Sequence, residues 1–386
     1  MIATPGDIEE GDFLAFKKTR VLVVDDSAFM RKVISRMISS DPELEVVGIA
    51  RDGVEALEKL HGTQPDVITL DVEMPRMDGL EALKAIMAER PTPVVMLSGL
   101  TKENADTTIK ALALGAVDFV AKPSGAISLD IEKVKDILLS KIRLARRAKL
   151  RLMVERGQGV SNHKSLHSGI SVMPDKKDSP FSGSEGQRPA DITVVIGSST
   201  GGPGALQEVV PRLPGDLPAG VLVVQHMPRG FTRSLAARLD EMSKLHVAEA
   251  SDGDLVAPGV CLVAPGGRHL VVRADHRVSL RDDPPVHGVR PSVDVTLEST
   301  VKVFGKNVIG VIMTGMGFDG AYGISMVKSA GGIAIAQDEA TSVVWGMPRA
   351  VVEMGYADFV CPLENIAEAV VKSLKGFAAA SMEGSK

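Results

Sequence analysis

Short apolar runs alternate with amphipathic ones from about residue 20 to residue 142. RVLVVDD, EVVGIA, DVITLD, PVVMLS and DFVAKP are rich in β-branched residues and predict strands, while AFMRKVISRMISS and GLEALKAIMAE carry helical spacing. Five βα units in succession predict a parallel, doubly wound sheet. The last helix sets Ile131, Val134, Ile137, Leu138 and Ile142 three and four residues apart, which gives it one apolar face and room to run on. From residue 191 the alternation resumes with DITVVIG, AGVLVVQHM, KLHVAEA, GVCLVAPG, HLVVRA, NVIGVIMTG, GGIAIAQD and DFVCPL among helical stretches. These predict a second α/β domain, doubly wound and mainly parallel. No repeat links the two halves.

The expected organisation is an N-terminal extension over residues 1–18, a first domain over 19–142, a linker over 143–190, a second domain over 191–377 and a polar tail over 378–386. From Arg143 to Arg188 there are ten Lys/Arg against four Asp/Glu, and from Gly157 onward Ser, Gly, Pro and Asn dominate without periodicity. A solvated spacer is the plainer reading of that basic excess, with docking to an acidic partner the other. The chain has 386 residues, 44% of them hydrophobic, enough for a core in each domain. No run reaches the roughly 18 apolar residues of a membrane span, and the acidic start lacks a signal-peptide core, so a cytoplasmic protein without membrane insertion is expected. A net charge of -5 speaks against nucleic acid as a partner. Cys261 and Cys361 sit in apolar strand contexts far from metal-ligand spacing and read as buried, reduced thiols.

Asp25 and Asp26 close the first predicted strand, and Asp71 closes the third. The carboxyl ends of neighbouring strands in such a sheet converge on one crevice, so the three carboxylates share a site. Their mutual repulsion calls for a cation, and hard oxygen ligands suggest Mg²⁺. Two further strand ends add the Ser98 hydroxyl and the Lys122 ammonium, a set suited to phosphoryl transfer onto Asp71. In this order the residues resemble a two-component receiver domain, of flavodoxin-like (βα)5 fold. The resemblance implies Asp71 as phospho-acceptor and Asp26 and Asp71 as Mg²⁺ ligands assisted by Asp25. It further implies the Glu73 backbone carbonyl completing the metal site, Ser98 and Lys122 contacting phosphate, and Phe119 at an aromatic switch position.

In the second half GSSTGG, residues 197–202, lies between a predicted strand and a predicted helix. A Walker phosphate loop would need Lys and Ser/Thr after its last glycine, but Pro203 follows Gly202. The glycines do not match G-x-G-x-x-G either. The alternative is a bend presenting one of three hydroxyls as a nucleophile, with Pro203 suited to the first helical turn and the helix N-terminus offering N–H donors to an oxyanion. His226 follows the next strand and would lie beside the bend as its base. Asp319, in the glycine-rich loop after NVIGVIMTG, is the candidate orienting acid, with Asp294 and Asp338 as rivals. Backbone N–H groups near Met316 and Gly317 are free to assist. His61, His163, His167, His246 and His276 read as surface or structural residues, and His269 and His287 as solvated loop histidines.

GSSTGGPGAL, VVQHMPRGFTRSLAARL, LVAPGGRHL, RPSVDVTL, GVIMTGMGFDGAYG and IAQDEATSVVWGMPRA together resemble the catalytic domain of the chemotaxis protein-glutamate methylesterases. The resemblance spans nearly all of the second half. It implies Ser199 as nucleophile, His226 as general base and acid and Asp319 as orienting carboxylate. It also implies backbone oxyanion contributors at Thr200, Gly201 and Met316, and leaves Ser198 structural. The implied activity is phosphorylation-controlled removal of methyl groups from γ-glutamyl methyl esters on the cytoplasmic domains of methylated chemoreceptors, with deamidation of receptor glutamines as a second activity. The esterase chemistry would need no cofactor, and a chemotaxis histidine kinase would be the phosphodonor. The rival readings are a response regulator whose output half is a non-catalytic binding module, and a DNA-binding output. The latter lacks a helix-turn-helix pattern and a basic C-terminal half.

Overall fold

The computed structural model describes residues 17–122, 130–157 and 188–383. Most of the N-terminal extension, most of the linker with His163 and His167, and residues 384–386 lie outside them. The first domain runs β1 (Thr19–Val24), α1 (Ala28–Ser39), β2 (Leu44–Ala50), α2 (Gly53–Thr63), β3 (Val67–Asp71), α3 (Gly79–Glu89), β4 (Val94–Ser98), α4 (Lys102–Ala113), β5 (Asp118–Ala121) and α5 (Asp130–Gly157). Its strands lie in the order β2-β1-β3-β4-β5, all parallel. Helices cover both faces, and β3 and β4 are buried at every position, as their unbroken apolar runs require. The helix starts follow from local chemistry. Ser27, Asp52, Asp78 and Thr101 each accept a backbone N–H three residues on, and Asp78 with Glu81 closes a capping box.

The second domain runs β6 (Thr193–Ser198), α6 (Gly202–Val209), β7 (Gly220–Gln225), α7 (Phe231–Met242), β8 (His246–Glu249), β9 (Val260–Val263), β10 (His269–Val272), β11 (Val278–Arg281), α8 (Val293–Phe304), β12 (Val308–Ile312), α9 (Ala321–Ser329), β13 (Ile333–Gln337), α10 (Met347–Glu353), β14 (Phe359–Cys361) and α11 (Ile366–Glu383). Seven strands form one parallel sheet in the order β14-β13-β12-β6-β7-β9-β8. β10 and β11 form a separate antiparallel pair. From β6 the chain proceeds to β7 on one side and later returns to β12 on the other. The switch point where ligands collect in such sheets therefore lies at β6.

Two expected limits move. The boundary at 142/143 falls inside α5, because Leu144 and Ala145 extend its buried face and the basic residues after them suit a helix. The basic excess thus begins on a helix. α11 likewise runs past residue 377, through an alanine-rich stretch of high helix propensity, so residues 378–383 are helical.

The two domains touch. α4 packs on α6 and α7, and Ser140 of α5 donates to the Met316 sulfur at 3.3 Å. Phe119 of β5 meets Phe231 at the start of α7, and both rings are almost wholly buried. The carboxyl edge of the second sheet thereby faces the β5 and α5 side of the first domain.

Candidate active site and acidic site

In the first domain the ends of β1 and β3 bring Asp25 and Asp71 together, both buried, with Asp26 exposed beside them. One oxygen from each of the three lies within 4.8 Å of the others. Lys122 Nζ bridges the site, 2.8 Å from Asp25 Oδ2 and 2.7 Å from Asp71 Oδ2. Burial raises the Asp71 carboxyl to about 6; Lys122 opposes the rise, and the charges of Asp25 and Asp26 add to it. Lys122 is held above its ordinary pKa against the effect of burial by the same two carboxylates. Three carboxylates facing one ammonium leave net negative charge on hard oxygens, a donor set that fits a divalent cation. Glu73 lies exposed in the turn after β3. Ser98 is turned away from this cluster: its buried hydroxyl accepts from Thr108 Oγ1 at 2.7 Å and points to the Gly99 and Asn104 carbonyls.

In the second domain the three strands at the switch point deliver Ser199 after β6, His226 after β7 and the Asp319 loop after β12. Ser199, Thr200, His226, Met316, Gly317 and Asp319 line one cleft of about 490 Å³, whose opposite wall includes Phe119, Ile137, Ser140 and Lys141 of the first domain. His226 Nε2 lies 2.7 Å from Asp319 Oδ2, with both side chains nearly buried. Bonding of Nε2–H to the carboxylate leaves the Nδ1 lone pair as the ring's acceptor. Although burial works to raise it, the Asp319 carboxyl is held below the ordinary range by His226 and by hydrogen bonds from Val293 N and Ser292 Oγ. Ser199 is half-buried, and its hydroxyl makes no hydrogen bond among the described residues.

Ser199 N donates to Thr314 O at 3.0 Å and Gly202 N to Ser199 O at 2.8 Å, which fixes the bend. Gly201 takes φ +78 at the helix start, where a side chain would strain and would also strike Val343. Gly315 approaches so closely that an added Cβ would lie 2.8 Å from Ser199 Cβ. The backbone N–H groups of Thr200, Gly201 and Met316 find no acceptor among the described residues. Those of Thr200 and Met316, which line the cleft, remain open to a ligand there.

Sequence reasoning missed Gln225, which accepts from Ser198 Oγ at 2.7 Å and donates to Ser199 O and His226 O. Ser198 is thereby tied into the support and buried, so of the three hydroxyls only those of Ser199 and Thr200 line the cleft. Asp338 serves its own turn, accepting from Thr341. Asp294 supports the loop that carries Asp319, with Gly320 N and Gly323 N donating to its Oδ1. Of the two histidines expected in solvated loops, only His287 lies in one. His269 lies in β10, fully buried between Ser292 N and Pro284 O, because apolar neighbours on its strand carry it inward. His287 is exposed but borders the cleft and pairs with Asp294 at 2.9 Å. Cys261 is buried as expected, whereas Cys361 on the edge strand β14 is only half-buried.

A carboxylate-rich receiver thus precedes an α/β domain whose switch point joins a serine to a His–Asp pair, the constitution of a regulated hydrolase. The family model for the response regulator receiver domain matches residues 21–132, and that for CheB methylesterase matches residues 194–370. A protein-glutamate methylesterase/protein-glutamine glutaminase of Symbiobacterium thermophilum is 54% identical over 357 residues, covering 92% of this chain and 97% of its own length. Its counterpart in Pyrococcus horikoshii is 51% identical over 362 residues, covering 93% and 94%. The crystal structure of the Thermotoga maritima CheB methylesterase catalytic domain is similar at 48% identity over 47% of this chain and 97% of that one, with a TM-score of 0.46. The chain belongs to the protein-glutamate methylesterase/protein-glutamine glutaminase family and is a hydrolase carrying a response-regulator receiver.

Proposed function

We propose that the protein hydrolyses γ-glutamyl methyl esters on the cytoplasmic domains of chemoreceptors, with Ser199 as nucleophile, and that phosphorylation of Asp71 by a chemotaxis histidine kinase relieves inhibition by the receiver. The observation that carries this reading is the His226–Asp319 pair beside an unengaged Ser199 hydroxyl in one cleft. Ser199 Oγ attacks the ester carbonyl while His226 takes its proton; Asp319 fixes the ring and stabilises the imidazolium. The N–H groups of Thr200, Gly201 and Met316 receive the oxyanion. The imidazolium returns the proton to the leaving methoxide, methanol departs, and a water deprotonated by His226 cleaves the acyl-enzyme to glutamate and free serine. A glutamine amide follows the same course with ammonia as leaving group. The esterase steps use no metal or cofactor.

In the receiver, Asp25, Asp26 and Asp71 with the Glu73 carbonyl would hold Mg²⁺, which offsets charge on the transferred phosphoryl group when bound. Lys122 stands ready to contact the phosphate, and Ser98 would have to turn from Thr108 to do so. The cleft's receiver wall supports occlusion of Ser199 in the unphosphorylated state, and phosphorylation would shift the population toward an open one. Among the described residues no helix is long and apolar enough to cross a membrane, consistent with a cytoplasmic enzyme acting on receptor tails. Methanol release from methylated receptor membranes, with and without a small phosphodonor, tests the reading. Ser199→Ala should lose on the order of a thousandfold or more, and Asp71→Ala should lose the stimulation. An undiminished rate in Ser199→Ala would favour the binding-module alternative or another nucleophile.

A further inference from the structure

Val286 and Val289 exchange both backbone hydrogen bonds, at 3.1 and 3.0 Å. His287 and Gly288 are therefore the two central residues of a tight hairpin turn, with φ +52 and +76. A turn with positive φ at both centres is best built from Asn-Gly, and an imidazole at its first position is conformationally disfavoured. The ring is nevertheless fixed there. Its Nε2 lies 2.9 Å from Asp294 Oδ2, and its edge packs on Phe318 at 4.7 Å between centroids.

The other oxygen of Asp294 accepts from Gly320 N at 2.9 Å and Gly323 N at 2.7 Å, and the Asp294 backbone N–H donates to Asp319 Oδ1 at 3.1 Å. Asp294 therefore anchors the start of α9 directly after Asp319 and touches Asp319 as well. His287, Asp294 and Asp319 also present atoms within 4.8 Å of one another. Those carboxylates are already filled by backbone N–H groups, Ser292 Oγ and the two histidines, so the arrangement is that of a hydrogen-bonded support and not of a cation site.

We propose that His287 is a positioning residue, whose imidazole holds the Asp294 carboxylate as the anchor of the α9 N-terminus and thereby aims Asp319 at His226. The inference rests on the catalytic assignment given above. Burial raises the Asp294 carboxyl; the Gly323 amide lowers it, the Asp319 charge raises it, and His287 lowers it. Without the imidazole the balance moves toward the neutral acid, a weaker acceptor for the two glycine amides. The charged groups around His287 are Asp294 on α8, Asp319 and His226 behind it, Arg290 on its own loop, and Lys141 and Asp118 on the receiver wall of the cleft.

His287→Asn tests this without disturbing the turn, since Asn suits a left-handed first position better than His. In the full chain saturated with phosphodonor, methanol release from methylated receptor membranes is followed from about pH 5 to 9. The expected result is a kcat lowered on the order of tenfold with KM little changed, an acid limb moved to higher pH, and a thermal midpoint at or above that of the wild type. Asp294→Asn, which cannot ionise, should lose the pH shift while keeping the lowered kcat. Wild-type kcat and pH profile in His287→Asn would overturn the proposal, as would a loss of activity matched by a lowered midpoint. Ser199→Ala run alongside separates the premise: full activity there would overturn the catalytic assignment and this inference with it.

Discussion

Phe119 and Phe231 pack ring against ring across the domain contact, centroids 4.4 Å apart and planes inclined by 33°. Phe119 follows Asp118, whose carboxylate holds Lys141 at 2.8 Å, and Lys141 also caps the Phe119 carbonyl at 2.7 Å. Phe231 opens α7, five residues after His226. The aromatic residue of the receiver's strand edge is thus embedded beside the strand end that carries His226.

Phe119→Ala should accordingly loosen the contact from one side. Removing a buried ring forfeits on the order of 3 kcal/mol, divided between the receiver's own stability and the domain contact. The share borne by the contact raises the open population, so methanol release without phosphodonor should rise several-fold while the stimulation ratio falls. Combining it with Asp71→Ala should leave the raised basal rate in place. A basal rate equal to that of the wild type would show that this stack does not hold the cleft closed.

Asp71 makes stability depend on pH in a definite direction. Its folded pKa is raised to about 6 from an ordinary carboxylate value near 3.8, so between those values the folded receiver holds the proton that the unfolded chain has lost. Stability from this group is complete below the lower value and is lost as pH rises through 6, on the order of 3 kcal/mol. The resistance of the metal-free wild type to chemical denaturant should therefore fall over that window relative to Asp71→Asn. Added Mg²⁺ should restore stability at neutral pH and have little effect near pH 4, where Asp71 is protonated. A wild type and variant with parallel pH dependence would contradict the raised value.

The thiols should be silent. Burial pushes Cys261 up to about 12, with the Asp240 charge assisting, and Cys361 is also raised by partial burial and by Asp338 and Glu364. At neutral pH the thiolate fraction is then small, so iodoacetamide should label the native chain far more slowly than the unfolded one. Methanol release should survive such treatment. Rapid loss of activity on alkylation of native protein would place a thiol in the chemistry.

Both sheets were legible because their strands are continuous apolar runs closed by polar residues. Those closures bring Asp25, Asp71 and Lys122 to one edge and GSSTGG, His226 and three candidate aspartates to the other, among which the family resemblance selects Ser199 and Asp319. What stayed hidden was the support. Gln225 reads as the last residue of an apolar strand, and nothing in LVVQHMP announces that its amide spans Ser198, Ser199 and His226. His269 opens the run Leu270, Val271, Val272, a pattern that fits a solvated strand end as well as a buried strand. The pairing of His287 with Asp294 depends on a turn whose left-handed first residue is not an asparagine or glycine, so the usual sequence signal was missing. α5 runs on into the basic segment, whose Lys and Arg favour a helix as well as a solvated spacer, so composition alone does not mark where the domain ends.

The His226–Asp319 bond gives the sharpest chemical prediction. Asp319 engages Nε2, so the neutral ring must carry its proton there and keep Nδ1 as its acceptor, which the proposed attack by Ser199 would use; this is the opposite edge from that used in the chymotrypsin-type triad. Nitrogen NMR of the resting enzyme labelled in its histidines should find His226 protonated at Nε2. Asp319→Asn removes the acceptor and leaves an amide that can donate to Nε2, favouring the tautomer with Nδ1 protonated and unable to accept from Ser199. Ser292 Oγ and Asp294 N can still bond the remaining carbonyl oxygen, whereas Val293 N, which bonds Oδ2 in the wild type, loses its acceptor. The expected outcome is a kcat lowered by about 10³ to 10⁴ with substrate affinity little changed. A loss of less than tenfold, or a His226 proton found on Nδ1 in the wild type, would mean that the carboxylate does not set the tautomer on which the attack depends.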